Sequence, residues 1–278
     1  MAARNTHVAL STVTNSILQQ ESSLGVTQFQ RQPHGVEMTA EGYKFYNRAR
    51  HILDTLDEAV SEPHFQSLQL LGSIRIAASY TMLGYFLPPR MARFRQHYPD
   101  IDLDLHDRER PQIEQGVLDG DLELGVVVLS NVRDRDRFAH HVLLRSRRQL
   151  WTSTGHPLLE QKHASLEDIA RYPYIQLNVD EAERSTRRYW KARGIPPNIA
   201  FSTSSMEGLR GLVAYGFGVS ILSDMVYRPW SLEGGRIETV PVLDVIPHME
   251  VGLIWNRERS LSETARAFQQ FLIHSSGS

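Results

Sequence analysis

The stretch GSIRIAASYTMLGYFLPPRMARFRQHYPDIDLDL, residues 72–105, decides the architecture. Ser73 to Ala78 is a short run of apolar and small residues that reads as a strand. Met82 to His97 then carries Leu83, Phe86, Leu87, Met91 and Phe94 at helical spacing, one apolar stripe on a helix. Pro88 and Pro89 should kink that helix or restart it, and Pro99 ends it. Ile101 to Leu105 is the next strand. Strand, helix and strand again is the unit of an α/β fold with largely parallel sheets.

The alternation continues toward the C-terminus. Helix Gln112–Leu118 precedes strand Leu122–Leu129. Helix Ser165–Arg171 leads to strand Tyr174–Leu177, and helix Glu181–Ala192 to strand Ile199–Phe201. Helix Met206–Tyr215, strand Val219–Leu222, strand Val251–Trp255 and helix Leu261–Ile273 close the chain. This region can form one sheet or two small ones.

Upstream the texture differs. Ala2 to Met38 is polar; Val13 and Ile17, four residues apart, share a helical face, and Gly25 after Leu24 reads as a helix stop. A helix is predicted over Thr39 to Ser61, with Thr39 as N-cap, Gly42 costing some propensity and Pro63 beyond the end. Phe45, Ala49, Ile52 and Leu56 form one narrow apolar stripe on it. Such a helix suits a linker that pairs with a second copy; the alternative is an ordinary surface helix.

The bulk numbers exclude several classes. The chain has 278 residues, 41% of them hydrophobic, enough for more than one core. It has no cysteine, which rules out disulfides, thiolate metal sites and cysteine nucleophiles. No run approaches the ~18 apolar residues of a membrane helix, and the start at Met1 lacks the apolar stretch of a secretion signal. The expected compartment is the cytoplasm. A formal net charge of −2 means that any nucleic-acid binding must be local. His140 and His141 are adjacent and point to opposite faces of a strand. His156 sits in a turn without carboxylates at ligand spacing. Gly216-Phe217-Gly218 is too short for a dinucleotide fingerprint and follows a helix. The reading is therefore no enzyme, no cofactor and no metal.

Taken together, several motifs resemble LysR-type transcriptional regulators over nearly the whole chain. Ala2, Ala3, Val8, Ile17, Glu21, Leu24, Gly25, Phe29 and Arg31 match the second half of that family's helix-turn-helix without gaps. Gln32 to Gly42 follows its wing, Pro33, Gly35, Thr39, Ala40 and Gly42 included. Gly72 to Ser79, Leu87-Pro88-Pro89, Phe94-Arg95, Tyr98-Pro99, Leu122 to Val126, Gly155 to Leu158, Gly208 to Val213, Gly216 to Val219 and Leu222 to Asp224 follow its sensor. The chain also departs from the pattern. It begins after the family's first helix, and Ala9, Leu10 and Ser11 replace the usual serine, glutamine and proline. From Met1 to Met38, Arg4 and Arg31 balance Glu21 and Glu37. Phosphate neutralisation carries DNA affinity, so poor operator binding is expected of this chain.

The resemblance implies a partial winged helix-turn-helix over residues 1–38 and a linker helix and hinge over 39–71. Residues 72–278 would form a two-lobed, periplasmic-binding-protein-like effector domain. Lobe one would hold about 72–147 and 250–278, and lobe two about 148–249. The chain should cross near Ser146–Trp151 and return near His248–Val251. Ser11, Thr12, Thr14, Asn15, Arg31 and His34 become DNA-contact candidates; the alternatives are a solvated polar face and, for Arg31, a brace of the fold. Ser79, Tyr80 and Thr81 lie between a strand and a helix start, where they could bind an anion or merely cap the helix. Ser202, Thr203 and Ser204 stand in the same relation to the helix from Met206. The resemblance favours the effector cleft for both clusters, with Ser130 and Gln176 completing a ring. A small carboxylate as effector and a homodimer or homotetramer are the corresponding expectations. Two rivals stay open: a DNA-incompetent sensor that modulates full-length relatives, and a solute-binding protein.

Overall fold

The computed structural model describes residues 10–32, 35–39, 41–46, 48–49, 52 and 70–276. The chain divides into two compact units, Met1–Gln66 and Ser67–Ser278.

In the first unit, helix α1 (Leu10–Leu24) stops at Gly25, whose φ of 65° is the left-handed geometry of a C-terminal glycine. An antiparallel hairpin follows, β1 (Phe29–Gln32) with β2 (Gly35–Met38), Phe29 opposite Met38. The Glu21 carboxylate ties helix to hairpin, accepting the Gln28 N–H at 2.6 Å and the Phe29 N–H at 2.9 Å. Thr39 Oγ1 accepts the Gly42 N–H at 2.9 Å, an N-cap bond, and donates to the Thr27 carbonyl at 2.7 Å. Gly42 is more than a weak helix former here. A Cβ on it would run into the Gln28 carbonyl, so glycine lets helix and hairpin touch. Replacing Thr39 by alanine should cost this unit about 1 kcal/mol. Thr39→Ser should retain most of that, which thermal melts of the three proteins followed by circular dichroism would check. On the predicted linker stripe Phe45 and Ala49 are half-buried and Ile52 is 66% exposed; Leu56 lies outside the described residues.

The second unit contains a five-stranded sheet and, in its other part, a three-stranded sheet bridged to a two-stranded one. The first has the order β4-β3-β5-β12-β6. Strands β3 (Gly72–Ala78), β4 (Ile101–Asp107) and β5 (Leu124–Val128) run parallel, Gly72 beside Ile101 and Ile76 beside Leu124. Strand β12 (Met249–Asn256) lies antiparallel between β5 and β6 (Phe138–Ser146). The helix predicted over residues 82–97 is two: α2 (Tyr80–Tyr85), then α3 (Leu87–His97). Pro88 and Pro89 sit in the first turn of α3, where a missing N–H costs nothing, so they restart the helix and do not kink it. Ile74, Ile76, Phe94, Val251, Leu253 and Phe268 share one core, with Phe268 supplied by α8 (Glu263–His274). Ala77, Ile113 and Ile254 pack into a second core on the other face, under α4 (Arg110–Asp119).

The second sheet joins β7 (Arg148–Ser153), flanked antiparallel by β10 (Ser220–Ser223) and β11 (Ile237–Pro241), to a parallel pair, β8 (Tyr174–Leu177) with β9 (Ile199–Thr203). A parallel bridge between Tyr174 and Val219 links the two parts; the Ile175 N–H reaches the Val219 carbonyl and the Val219 N–H the Pro173 carbonyl, both at 2.9 Å. Helices α5 (Leu166–Ala170), α6 (Ala182–Arg193) and α7 (Met206–Ala214) accompany this sheet. The chain leaves the first sheet at Ser146 and begins the second at Arg148.

The expectation of largely parallel sheets needs correction. Strands β6, β7 and β11 escaped sequence reading, and β12 runs against its neighbours. β6 carries polar residues such as His140, His141 and Arg145 at exposed positions, and its burial pattern lacks clean alternation. His140 and His141 are both exposed. Among the described residues no cluster of three or more His, Cys, Asp or Glu could hold a metal ion. No helix among them is long and apolar enough to cross a membrane.

Candidate functional site

The two sheets meet around a cavity with room for water-sized molecules over about 50 Å³. Lobe one supplies Thr81 from α2, Val128 from the end of β5 and Asn131. Lobe two supplies Arg148 from the start of β7, Gln176 from β8 and Asp180 from the loop after it. The C-terminal ends of parallel strands β5 and β8 both face it, the usual place for a ligand in such sheets.

Arg148 is the unusual member. It is half-buried and, among the described residues, has no carboxylate partner. Burial pushes its guanidinium below the ordinary range; the Tyr189 and Tyr174 phenols oppose that shift and Arg188 adds to it. A guanidinium nonetheless stays charged at neutral pH. Behind it, the Tyr174 and Tyr189 hydroxyls lie 3.3 Å apart, and Tyr174 accepts the Ile221 N–H at 3.1 Å. Burial drives the Tyr189 phenol well upward, so it offers no negative charge. Gln176 donates to the Leu177 carbonyl at 2.6 Å, and its Oε1 is buried without a partner.

A strap from lobe two crosses to lobe one. Asp180 Oδ2 accepts the Thr81 N–H at 2.7 Å, and the Asp180 carbonyl accepts from Asn131 Nδ2 at 2.6 Å. Ser185 donates to Asn131 Oδ1 at 2.9 Å, and Arg110 reaches Glu181 at 2.6 Å while also pairing with Glu114. Asp180 and Glu181 hold φ of 48° and 56°, a left-handed conformation that costs a non-glycine residue roughly 1–2 kcal/mol. The cross-lobe bonds offset that strain. Nearby, Tyr85 of α2 lies 5.4 Å from the guanidinium carbons of both Arg210 and Arg228 of lobe two.

The sequence-predicted residues fall in three groups. Thr81 and Gln176 line the cavity. Ser130 directly precedes the lining residue Asn131 and Ser79 lies two residues before Thr81, each with a buried Oγ that has no partner among the described residues, and Tyr80 is 41% exposed. Ser202, Thr203 and Ser204 lie outside it. Ser202 and Ser204 are exposed, and Thr203 Oγ1 accepts the Ser205 N–H at 3.0 Å. Ser205 in turn caps α7 through the Gly208 N–H at 2.9 Å, so this cluster organises a helix start. The Thr81 N–H, expected to be open to an anion, is taken by Asp180. On α1, Ser11, Thr12 and Asn15 are exposed and Thr14 is half-buried; Arg31 lies in β1, and His34 lies outside the described residues. Arg148, Asp180 and Asn131 were missed. Each stands in a polar run, Arg145 to Gln149, Asn178 to Arg184 or Ser130 to Arg137, where nothing local separates it from its neighbours.

Residues 68–276 match the family model described as the LysR substrate binding domain. An uncharacterized HTH-type transcriptional regulator of Methanocaldococcus jannaschii is 27% identical over 98% of this chain and 92% of its own length. An uncharacterized HTH-type regulator of Bacillus subtilis is 25% identical, covering 98% and 91%. A crystal structure of a protein named as a LysR family transcriptional regulator of Pseudomonas aeruginosa superposes with a TM-score of 0.69 and 25% identity. That match covers 100% of this chain and 93% of the other.

Proposed function

The chain belongs to the LysR family of transcriptional regulators, and from that premise we propose that it is a DNA-reading switch set by a small anion bound between its two lobes. The observation that carries the effector reading is Arg148, a cation in the cavity wall without a carboxylate partner among the described residues. A half-buried, uncompensated charge is unfavourable, and a ligand carboxylate would compensate it. Thr81 and Gln176 remain effector candidates on the same wall. The strap through Asp180, Asn131 and Glu181 joins the lobes, so a ligand that fits their closed arrangement would shift the population toward it. In the other unit, exposed Ser11, Thr12 and Asn15 on α1, with Thr14, Arg31 and His34, are the proposed DNA contacts. Phe45, Ala49, Ile52 and Leu56 are the proposed seam between copies. A cytoplasmic location follows from the regulatory role.

The test is calorimetry of the full chain against small carboxylates, acetate and propionate first. A hydrogen bond to a charged group is worth about 1.5–3 kcal/mol, so Arg148→Gln should weaken binding roughly ten- to a hundredfold. Undiminished carboxylate affinity in that variant would remove Arg148 from the site and with it the main support for this reading.

A further inference from the structure

The cavity holds one charge of each sign. Arg148 and Asp180 both line it, yet they do not pair with each other. Asp180 Oδ2 takes a backbone N–H from Thr81. No Lys, Arg or His pairs with Asp180 among the described residues. Other ion pairs of this region are closed within the protein: Arg110 with Glu114 and Glu181, Arg187 with Glu183, and Arg193 with Asp244. The neighbouring acid on the strap, Glu181, is thus neutralised, and Asp180 alone is left. Two separated charges facing one small space, neither in an ion pair among the described residues, are costly to desolvate, and a ligand with complementary charges at both ends relieves both costs.

We propose that the effector is a small zwitterion of the α-amino acid class, its carboxylate on Arg148 and its ammonium on Asp180. This rests on the reading of the cavity as the effector site and goes beyond it by naming what a simple carboxylate lacks. The remaining polar surface suits such a ligand. Asn131 and Gln176 line the space, and Gln176 Oε1 has no partner among the described residues, so it can take one N–H of the ligand after a small adjustment. Size sets the limit. One water needs roughly 10–15 Å³ of such space, so about 50 Å³ accepts a ligand the size of a few waters. Glycine, alanine and serine fall in that range, and larger side chains would have to open the lobes.

The roles predict a pattern across two series of probes. In calorimetry of the full chain at neutral pH, glycine, L-alanine and L-serine are set beside acetate, propionate and 3-hydroxypropionate. The amino acids should bind at least about tenfold more tightly than the matching acids. Asp180→Asn keeps an oxygen that can accept the Thr81 N–H, and its melting midpoint reports whether the fold is kept. This variant should lose about ten- to a hundredfold in alanine affinity. It should bind propionate no worse than the parent, because a like charge has gone. Asp180→Ser, which removes the same charge with a smaller side chain, should repeat the pattern. Arg148→Gln should weaken both series. Equal affinity for alanine and propionate in the parent overturns the zwitterion assignment and leaves the carboxylate reading standing. So does parent-like alanine binding in both Asp180 variants. Absence of binding in both series overturns both readings.

Discussion

Replacing Phe94 by alanine is expected to lower the stability of the chain by about 3–5 kcal/mol. The ring is fully buried on α3 and stacks on Tyr98 at 4.7 Å between centroids. It also meets Phe268 edge-on at 4.8 Å and Phe271 at 5.4 Å, both from α8. Truncation leaves a cavity at the contact between α3 and α8, the last helix of lobe one, residues 174 apart in the case of Phe268. It also forfeits aromatic pairs worth about 0.5–1.5 kcal/mol each. Phe94→Leu keeps much of the volume and should lose clearly less. Denaturant titration of both variants tests this; a change under about 1 kcal/mol for Phe94→Ala would mean that the two helices are not held through this ring. Because α2, which carries Thr81, directly precedes α3, effector affinity should fall along with stability.

Gly218→Val should be comparably damaging, by about 3 kcal/mol or more. A Cβ at Gly218 would stand 2.6 Å from the Pro173 carbonyl oxygen and 3.1 Å from Ile175 Cγ1. The first is a backbone atom, and the same oxygen accepts the Val219 N–H at 2.9 Å. The side chain therefore cannot be accommodated without parting β8 from β10. Those strands carry Gln176 and Ser220 into the cavity wall, so ligand binding should be lost with the strand pairing. Gly211→Ala is the contrast. Gly211 lies inside α7 with nothing within 4 Å of an added Cβ, and the change should stabilise by about 0.4–1 kcal/mol. Thermal melts should move in opposite directions; a Gly218→Val protein as stable as the parent would show that the bridge between the two parts of the second sheet is dispensable.

Residues 72–105 show how much of this fold was legible. Ile74, Ile76 and Phe94 stand at spacings that record a buried face, and they are buried. Thr39 and Gly25 carry local chemistry that needs no distant partner, and both do in three dimensions what their residue types imply. The edge and hinge strands left weaker traces. β6 and β11 mix apolar with polar residues because parts of each remain exposed, so period-two alternation fades.

The sequence by itself determined the α/β alternation, the break at Pro88 and Pro89 and the family, since these depend on residue type and short-range spacing. Tertiary structure alone decided the charge arrangement in the cleft. Arg148 and Asp180 lie in polar stretches whose other members are exposed or paired, as Arg147 and Glu181 are. Whether a charge is compensated depends on what the fold brings beside it, here strands β7 and β8 of one lobe and helix α2 of the other. Coulomb interaction acts through space and not along the chain. The same holds for Ser205, whose use as the cap of α7 turned a run of hydroxyls that resembled a binding cluster into the start of a helix.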